Sequence, residues 1–461
     1  MSQRYDLVIR GGRVVSPGSD AVADIGMLGG KIAQIGGGMQ AEREIDATGK
    51  LILPGGIDAH VHLSLTEDML TGPGWCDDFT SGTAAAAAGG ITAVGNMTFP
   101  RETETMWEAI QRESADADAQ AIVDVFLHPV LTNPGMQPLS DIARLAAEGV
   151  TTLKFFMSFG GFAENPTAYM EAMRQARDAG CLTLIHCEDH AIMTDTLNKL
   201  IAENRIGIEN YPESRSVTAE AAATARAVAF AEETGAPSYV VHLSSAAALD
   251  EVRRGRSRGV PVWVETRPLY LHLTEERFSD EDGAKYVGQP PLRKLDDRIA
   301  LWRGLAAGEI DTVCTDHAPW RYAEKVLPGM DIVNLRPGVA DLDTMLPMLF
   351  SEGVVAGRIT LQQFVNVSST NAAKLFGLFP RKGTIAIGSD ADLAIWDPAL
   401  TRPVCASALK TNSDYSPYEG WEVTGWPITT IHAGEVVFEN GQIIGKAGRA
   451  GIIKREKTRG L

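Results

Sequence analysis

The sequence predicts an α/β fold: a central (β/α)8 barrel flanked by one small β-domain assembled from both chain ends. Three observations predict it. Eight apolar, strand-like runs alternate with helical stretches through the middle of the chain, and such alternation sets strands parallel with right-handed crossovers. Eight units are the number that closes a barrel. The two ends instead carry short strand-like runs broken by glycine turns, and neither end alone has enough of them to bury a sheet face.

The N-terminal runs are Tyr5 to Ile9, Arg13 to Val15, Ile25 to Leu28 and Lys31 to Ile35, punctuated by Gly11-Gly12, Pro17-Gly18 and Gly29-Gly30. The central strand candidates are 51–58, 91–99, 121–130, 151–158, 181–187, 238–244, 260–267 and 311–316. Between them lie helical stretches at Thr83 to Ala88, Thr105 to Ala115, Ser140 to Ala147, Ala168 to Ala179, Thr218 to Thr234, Ala246 to Arg253 and Asp296 to Ala307. Strand texture returns at Gly383 to Ile385, Ala391 to Trp396 and Thr429 to Phe438, with turns at Gly388-Ser389-Asp390 and Asn440-Gly441. An open doubly wound sheet is the structural alternative, but no Gly-X-Gly-X-X-Gly follows the first central strand to support nucleotide binding there.

Composition excludes several classes. The 461 residues are 44% hydrophobic and 22% charged, as in soluble globular proteins. A net charge of −17 opposes nucleic acid, whose phosphates attract basic surfaces. No apolar run is long enough to span a bilayer. The start, Met1-Ser2-Gln3-Arg4-Tyr5-Asp6, lacks the regions of a secretory leader. Five cysteines form no Cys-X-X-Cys pair, which fits reduced thiols and a cytoplasmic location. Cys187 and Cys314 neighbour candidate site residues, and as small core hydrophobes they need no further role.

Chemistry concentrates at the C-terminal ends of the central strands, where a barrel of this class places its site. Asp58-Ala59-His60-Val61-His62 closes the first. Histidines two apart on an extended segment point the same way, so both imidazoles reach one metal ion. Lys154 lies in the fourth strand, His186 ends the fifth, His242 the sixth and Asp316 the eighth. Each alone has a plain structural reading: a hydrogen-bonded histidine, or an aspartate capping a turn. Lys154 fits that reading least, because an ammonium in an apolar strand is costly and burial lowers its pKa. A neutral amine there can attack carbon dioxide, and the resulting carbamate would bridge two cations. Spacing alone leaves that open.

The set His-X-His, Lys, His, His, Asp resembles the binuclear site of the amidohydrolase superfamily. Pro54-Gly55-Gly56-Ile57-Asp58-Ala59-His60-Val61-His62, Gly283 to Val287, Pro290-Pro291-Leu292-Arg293, Thr315-Asp316-His317 and Lys374 to Leu393 narrow the likeness. They resemble the cyclic amidohydrolases: hydantoinase, dihydropyrimidinase, allantoinase and dihydroorotase. The resemblance covers nearly the whole chain. It implies a distorted TIM barrel over 54–379 and a β-sandwich from 1–53 plus 380–461. It implies two divalent metal ions, zinc first with manganese or cobalt as alternatives. His60, His62 and Asp316 would hold one, His186 and His242 the other, and an N6-carboxylysine at Lys154 would bridge them. A bridging hydroxide would attack the cyclic amide, with Asp316 shuttling its proton to the leaving nitrogen. A homotetramer and a small-molecule cyclic ureide or imide substrate are likewise implied.

Departures from the family pattern bear on the substrate. Where hydantoinases place a tyrosine after the bridging lysine, this chain has Phe159, which cannot donate a hydrogen bond to an oxyanion. Gln289 stands where a small polar residue is usual, and Asn334 matches an asparagine that contacts the substrate amide. Phe159 and Phe162 suggest room for an apolar ring substituent. Phe159 as a lid hydrophobe and Asn334 as a turn residue are the competing readings. Dihydroorotase carries an arginine after His-X-His; here Leu63-Ser64-Leu65 follows. Arg267 offers a partial substitute or a structural ion pair. Asp316-His317-Ala318-Pro319 resembles dihydroorotase and allantoinase. The order of expectation is hydantoinase or dihydropyrimidinase, then allantoinase, then dihydroorotase. A non-enzymatic, dihydropyrimidinase-like assembly protein is the remaining alternative, and the retained ligand set speaks against it.

Overall fold

The computed structural model describes residues 4–64, 74–458 and 460–461. Leu65 and Met1-Ser2-Gln3, used in the sequence reading, lie outside them. The N-terminal strands are β1 (Arg4–Ser16), β2 (Ser19–Leu28), β3 (Lys31–Ile35), β4 (Gln40–Asp46) and β5 (Leu51–Pro54). The central ones are β6 (Gly56–Val61), β7 (Ile91–Thr98), β8 (Asp124–Pro129), β9 (Thr152–Phe156), β10 (Leu182–His186), β11 (Ser238–Val240), β12 (Val262–Thr266) and β13 (Thr312–Val313). The last are β14 (Leu393–Pro403), β15 (Glu422–His432), β16 (Glu435–Glu439) and β17 (Gln442–Ile443).

Strands β6 to β8 pair in parallel, as do β9 to β13. Parallel bridges Val130↔Lys154 and Val61↔His317 join the two arcs, so the ring of eight closes. A cluster with members from around the ring, including Ile57, Ala93, Phe126, Leu184, Tyr239 and Cys314, fills its interior. The surrounding helices start where side chains cap them. Asp78 accepts from Ser81 N–H ahead of Phe79–Ala88, and Thr105 forms a reciprocal cap with Glu108 ahead of Met106–Gln120. A helix over His190–Ala202, absent from the sequence reading, is capped by Asp189.

Both chain ends share one sheet. Its path runs β17-β16-β15-β14-β5-β1-β2-β3, with β4 paired to β1. β14 lies antiparallel to β5, with Leu393 opposite Pro54, and this joins the C-terminal strands to the N-terminal ones. Several expected strands are revised. The runs Tyr5 to Ile9 and Arg13 to Val15 form one strand, β1, in which Gly11-Gly12 is a bulge rather than a turn. The run Thr429 to Phe438 is a hairpin of β15 and β16 that turns at Ala433-Gly434. The apolar run 51–58 is not one strand: it breaks at Gly55, with β5 in the terminal sheet and β6 in the barrel. A Cβ at Gly55 would meet Thr92 Oγ1 at 2.1 Å, so only glycine fits this crossing. Gly383 to Ile385 is not a strand; the Ile385 N–H is taken by Ser16 Oγ at 2.7 Å.

Candidate metal centre

The ends of β6 and β13 are tied before any ligand is considered. Asp58 accepts from His60 N–H and from the Thr315 hydroxyl, at 3.1 and 2.6 Å. Burial pushes the Asp58 carboxyl up to about 7, against these hydrogen bonds. His62 N–H donates to His317 O at 2.8 Å. The clamp turns His60 Nε2 and His62 Nε2 toward Asp316 Oδ1, at 3.2 and 2.8 Å. These three buried side chains form a group able to hold one cation.

His186 ends β10 and His242 follows β11. His186 Nδ1 and His242 Nε2 face each other at 2.8 Å. The His60 and His242 rings lie 5.4 Å apart, which brings this pair beside the first group. Lys154 is fully buried, and among the described residues its Nζ has no hydrogen-bond partner. Its Nζ lies 4.6 Å from the centre of the Phe156 ring, which itself packs 5.3 Å from His186. Two of the residues pay for their positions with backbone strain, since His242 and Asp316 have φ of 39° and 52°.

The protonation states of the buried groups favour cation binding. Burial lowers His62 to about 4, and burial also drives His186 and His242 down. The imidazoles therefore keep free lone pairs at neutral pH. Burial brings the Lys154 amine down to about 8. Burial opposes the Asp316 carboxylate, but Arg267 and the two histidines hold it well below its usual range. The donor set of inward imidazole nitrogens, one carboxylate and an unpartnered amine thus fits divalent cations.

A model of the amidohydrolase family matches residues 51–437. The chain belongs to the amidohydrolase family. Within it the chain is hydantoinase- and dihydropyrimidinase-like. It is 35% identical to the D-hydantoinase of Ralstonia pickettii, over 98% of this chain and 99% of that one. The dihydropyrimidinase structure from Brevibacillus agri NCHU1002 superposes with a TM-score of 0.94 at 34% identity, covering 98% of this chain and 99% of that one. The L-hydantoinase (dihydropyrimidinase) structure from Arthrobacter aurescens gives 0.91 at 30% identity, covering 98% and 100%. These matches establish the barrel-plus-sandwich fold.

This hydantoinase-like amidohydrolase also holds carboxylates behind its histidines that sequence reasoning missed. Glu265 Oε1 accepts from His60 Nδ1 at 2.7 Å and from His242 N–H at 2.8 Å. Glu188 Oε2 takes His186 Nε2 at 2.7 Å, and Arg215 Nε donates to Glu188 Oε1 at 2.9 Å. Such partners fix tautomer and ring orientation. The signal was present for Glu265: like Lys154, it is an ionisable residue within an apolar strand, after Val262-Trp263-Val264. Arg267 Nη1 pairs with Asp316 Oδ2 at 2.8 Å and is fully buried, so the ion-pair reading holds for it.

The loop residues are placed less uniformly. Phe159 is 39% exposed and stacks on Phe156 at 4.5 Å. With Phe99, which packs 5.8 Å from Phe156 and 6.0 Å from His62, it forms an aromatic row leading to the histidines. Phe162 is not in that row; it is buried against Phe155 and Tyr169. Gln289 is half-buried, next in the chain to Gly288, which packs against Arg267. Asn334 is exposed, and its Oδ1 caps a turn by accepting from Asp331 N–H at 2.8 Å. A second acidic group, Asp124, Asp392 and His432, already holds the Lys382 ammonium, 2.5 Å from Asp124 Oδ2. That charge explains the cluster without a metal.

Proposed function

We propose that the chain hydrolyses a small cyclic ureide or imide of the hydantoin or dihydropyrimidine kind. Water adds across the ring C–N bond: a C–O bond forms, the C–N bond breaks, and the nitrogen leaves with a proton, giving an N-carbamoyl or amide acid. The observation that carries this reading is the meeting of His60, His62 and Asp316 with the His186–His242 pair, next to the Phe156 ring that the unpartnered Lys154 amine faces at 4.6 Å. His60, His62 and Asp316 would hold one divalent cation, zinc before manganese or cobalt. His186 Nδ1 and His242 Nε2 would hold the second, with N6-carboxylated Lys154 between the two. Such a pair, when bound, lowers the pKa of water and polarises the scissile carbonyl.

The remaining roles belong to the chain's own groups. Asp316 accepts the water proton on the lone pair of Oδ2 that Arg267 leaves free, and returns it to the departing nitrogen. Arg267 holds that carboxylate in one rotamer. Gln289 orients the ring amide. The Phe99–Phe156–Phe159 row takes a ring substituent and keeps water out. Asn334 would join Gln289 only by leaving the turn it caps. We further propose a cytoplasmic homotetramer with the two domains given by the family pattern; a mass near 49.5 kDa by light scattering would contradict the tetramer. Five unpaired cysteines support the reducing compartment, and no helix among the described residues is long and apolar enough to cross a membrane.

The test is a ring-opening panel with metal content measured alongside: hydantoin, both hands of phenylhydantoin, dihydrouracil, allantoin, dihydroorotate and succinimide. Turnover of hydantoins or dihydrouracil is expected. Dominant turnover of allantoin or dihydroorotate would replace the substrate class, and absence of both metal and activity would sink the enzymatic reading.

A further inference from the structure

Three barrel loops converge on one short segment, Val287 to Pro290. Tyr211, in the loop after β10, donates its hydroxyl to Gly288 O at 2.8 Å. Tyr270, after β12, donates to Pro290 O at 2.7 Å. Lys325, after β13, donates to Val287 O at 2.7 Å, to Gly338 O at 2.8 Å and to Arg336 O. All three side chains are buried. Three carbonyls around Lys325 Nζ equal the three donors of an ammonium, the form that burial opposes by lowering the pKa of this amine. Gly338 N–H adds a second bond to Val287 O at 3.0 Å, which ties the segment to the following loop.

The pattern skips one residue. The carbonyls of 287, 288 and 290 are all taken, whereas among the described residues no hydrogen bond reaches the backbone or side chain of Gln289. A buried carbonyl needs a partner, so the three bonds could be dismissed as routine satisfaction. Routine satisfaction does not account for three separate loops, nor for the residue left free between them. Position argues the same way. A Cβ on Gly288 would lie 2.9 Å from Arg267 Nη1, which is itself 2.8 Å from Asp316 Oδ2. The segment therefore packs directly behind the carboxylate that is proposed to move the proton.

We propose that Tyr211, Tyr270 and Lys325 are positioning residues that pin Val287–Pro290 and so aim the free N–H and C=O of Gln289 at the H–N–C=O edge of the substrate ring. This rests on the ring-opening function proposed above. One donor and one acceptor on a fixed residue complement a ring amide, and a fixed partner loses less entropy on binding than a mobile one. The hydroxyls act through Gln289 and do not touch the substrate.

Tyr211→Phe and Tyr270→Phe each remove one hydroxyl and keep the ring, which avoids the folding risk of replacing Lys325. Two quantities are read on the metal-loaded enzyme. Hydrogen exchange of the peptide spanning 287–290 is expected to quicken by about tenfold in each variant, with other protected peptides and metal content unchanged. The preference in kcat/KM for hydantoin over its N1- and N3-methyl derivatives is expected to fall by about fivefold or more, chiefly through KM. Unchanged exchange at 287–290 would overturn the pinning. Faster exchange with the N–H preference intact would overturn the aiming. A wild-type enzyme that opens no cyclic ureide would overturn both this inference and the function beneath it, and is told apart because it needs no substitution.

Discussion

Replacing Glu265 by glutamine tests the centre without touching a candidate ligand. Glu265 is fully buried, with Oε1 on His60 Nδ1 and His242 N–H and Oε2 on the Tyr239 hydroxyl at 2.9 Å. A carboxylate only accepts, so the proton of His60 sits on Nδ1 and the Nε2 lone pair faces Asp316. Glutamine keeps the shape but offers the ring one of two faces. If its oxygen faces His60, the tautomer survives but the ring loses an anionic partner and some basicity. If its nitrogen faces His60, Nδ1 must accept, the proton moves to Nε2, and the lone pair that would hold the cation is gone. Outer partners of this kind are worth about 10–100-fold in metal affinity, or about 1.4–2.8 kcal/mol. The assay is chelator competition followed by elemental analysis, with thermal unfolding of the metal-free form as the control for folding. Glu265→Gln should release its metal at about 10–100-fold lower free chelator than wild type. A folded variant with the wild-type chelator midpoint would refute the reasoning, because His60 would then be oriented by something else.

Other outcomes follow from the same geometry. Lys154→Ala should lose metal and activity together, with partial recovery on adding short carboxylic acids; a variant keeping both in full would remove the bridging role. Phe159→Tyr should raise kcat by about tenfold or more while KM moves less than about twofold, if the missing hydroxyl limits oxyanion stabilisation; an unchanged kcat in the steady state would show that the donor comes from elsewhere. Burial pushes Glu113 up to about 7 from its ordinary 4.5, against donors on Thr98 and Asn96. The folded state therefore holds a proton that the unfolded chain has released, so this contribution is present below pH 4.5 and is lost as pH rises through about 7. Glu113→Gln should flatten the fall in Tm between about pH 5 and 7.5, and slopes identical to wild type would contradict the assignment.

Much of the fold was legible because strand periodicity and glycine turns are local signals. The barrel strands needed only apolar runs, and the terminal sheet needed only the insight that neither end suffices alone. What local signals missed was where a run changes sheets. Leu51 to Asp58 reads as one strand, and nothing in its pattern marks Gly55 as the crossing, because the constraint is the approach of Thr92 from a strand almost forty residues on. Gly383 to Ile385 failed for a related reason: the Ile385 N–H meets a serine hydroxyl 369 positions away rather than a neighbouring strand.

The site divides along the same line. Residues on strand ends were readable, because the pleat fixes which way a side chain points and the barrel fixes where the strand ends lie. His60, His62, His186, His242 and Asp316 come from such ends and Lys154 from the middle of β9, where its side chain points into the same barrel, and the structure brings the histidines and Asp316 together. Residues on loops were not, because a loop's path is set by contacts that sequence spacing does not encode. Asn334 matched a family position by spacing, yet its side chain serves the turn at Asp331; Phe162 turned into the core while Phe159, three residues earlier, stayed on the approach. The carboxylates behind the histidines fall between the cases: Glu265 sits on a strand end, but its partner His60 is 205 residues away. On the proposed function, the strands would supply the chemistry and the loops the choice of substrate. The two positions read as departures from the hydantoinase pattern, Phe159 without a hydroxyl and Gln289 in place of a small polar residue, both lie on loops. Substrate preference is therefore where this enzyme should differ most from its relatives, while its metal chemistry should differ least.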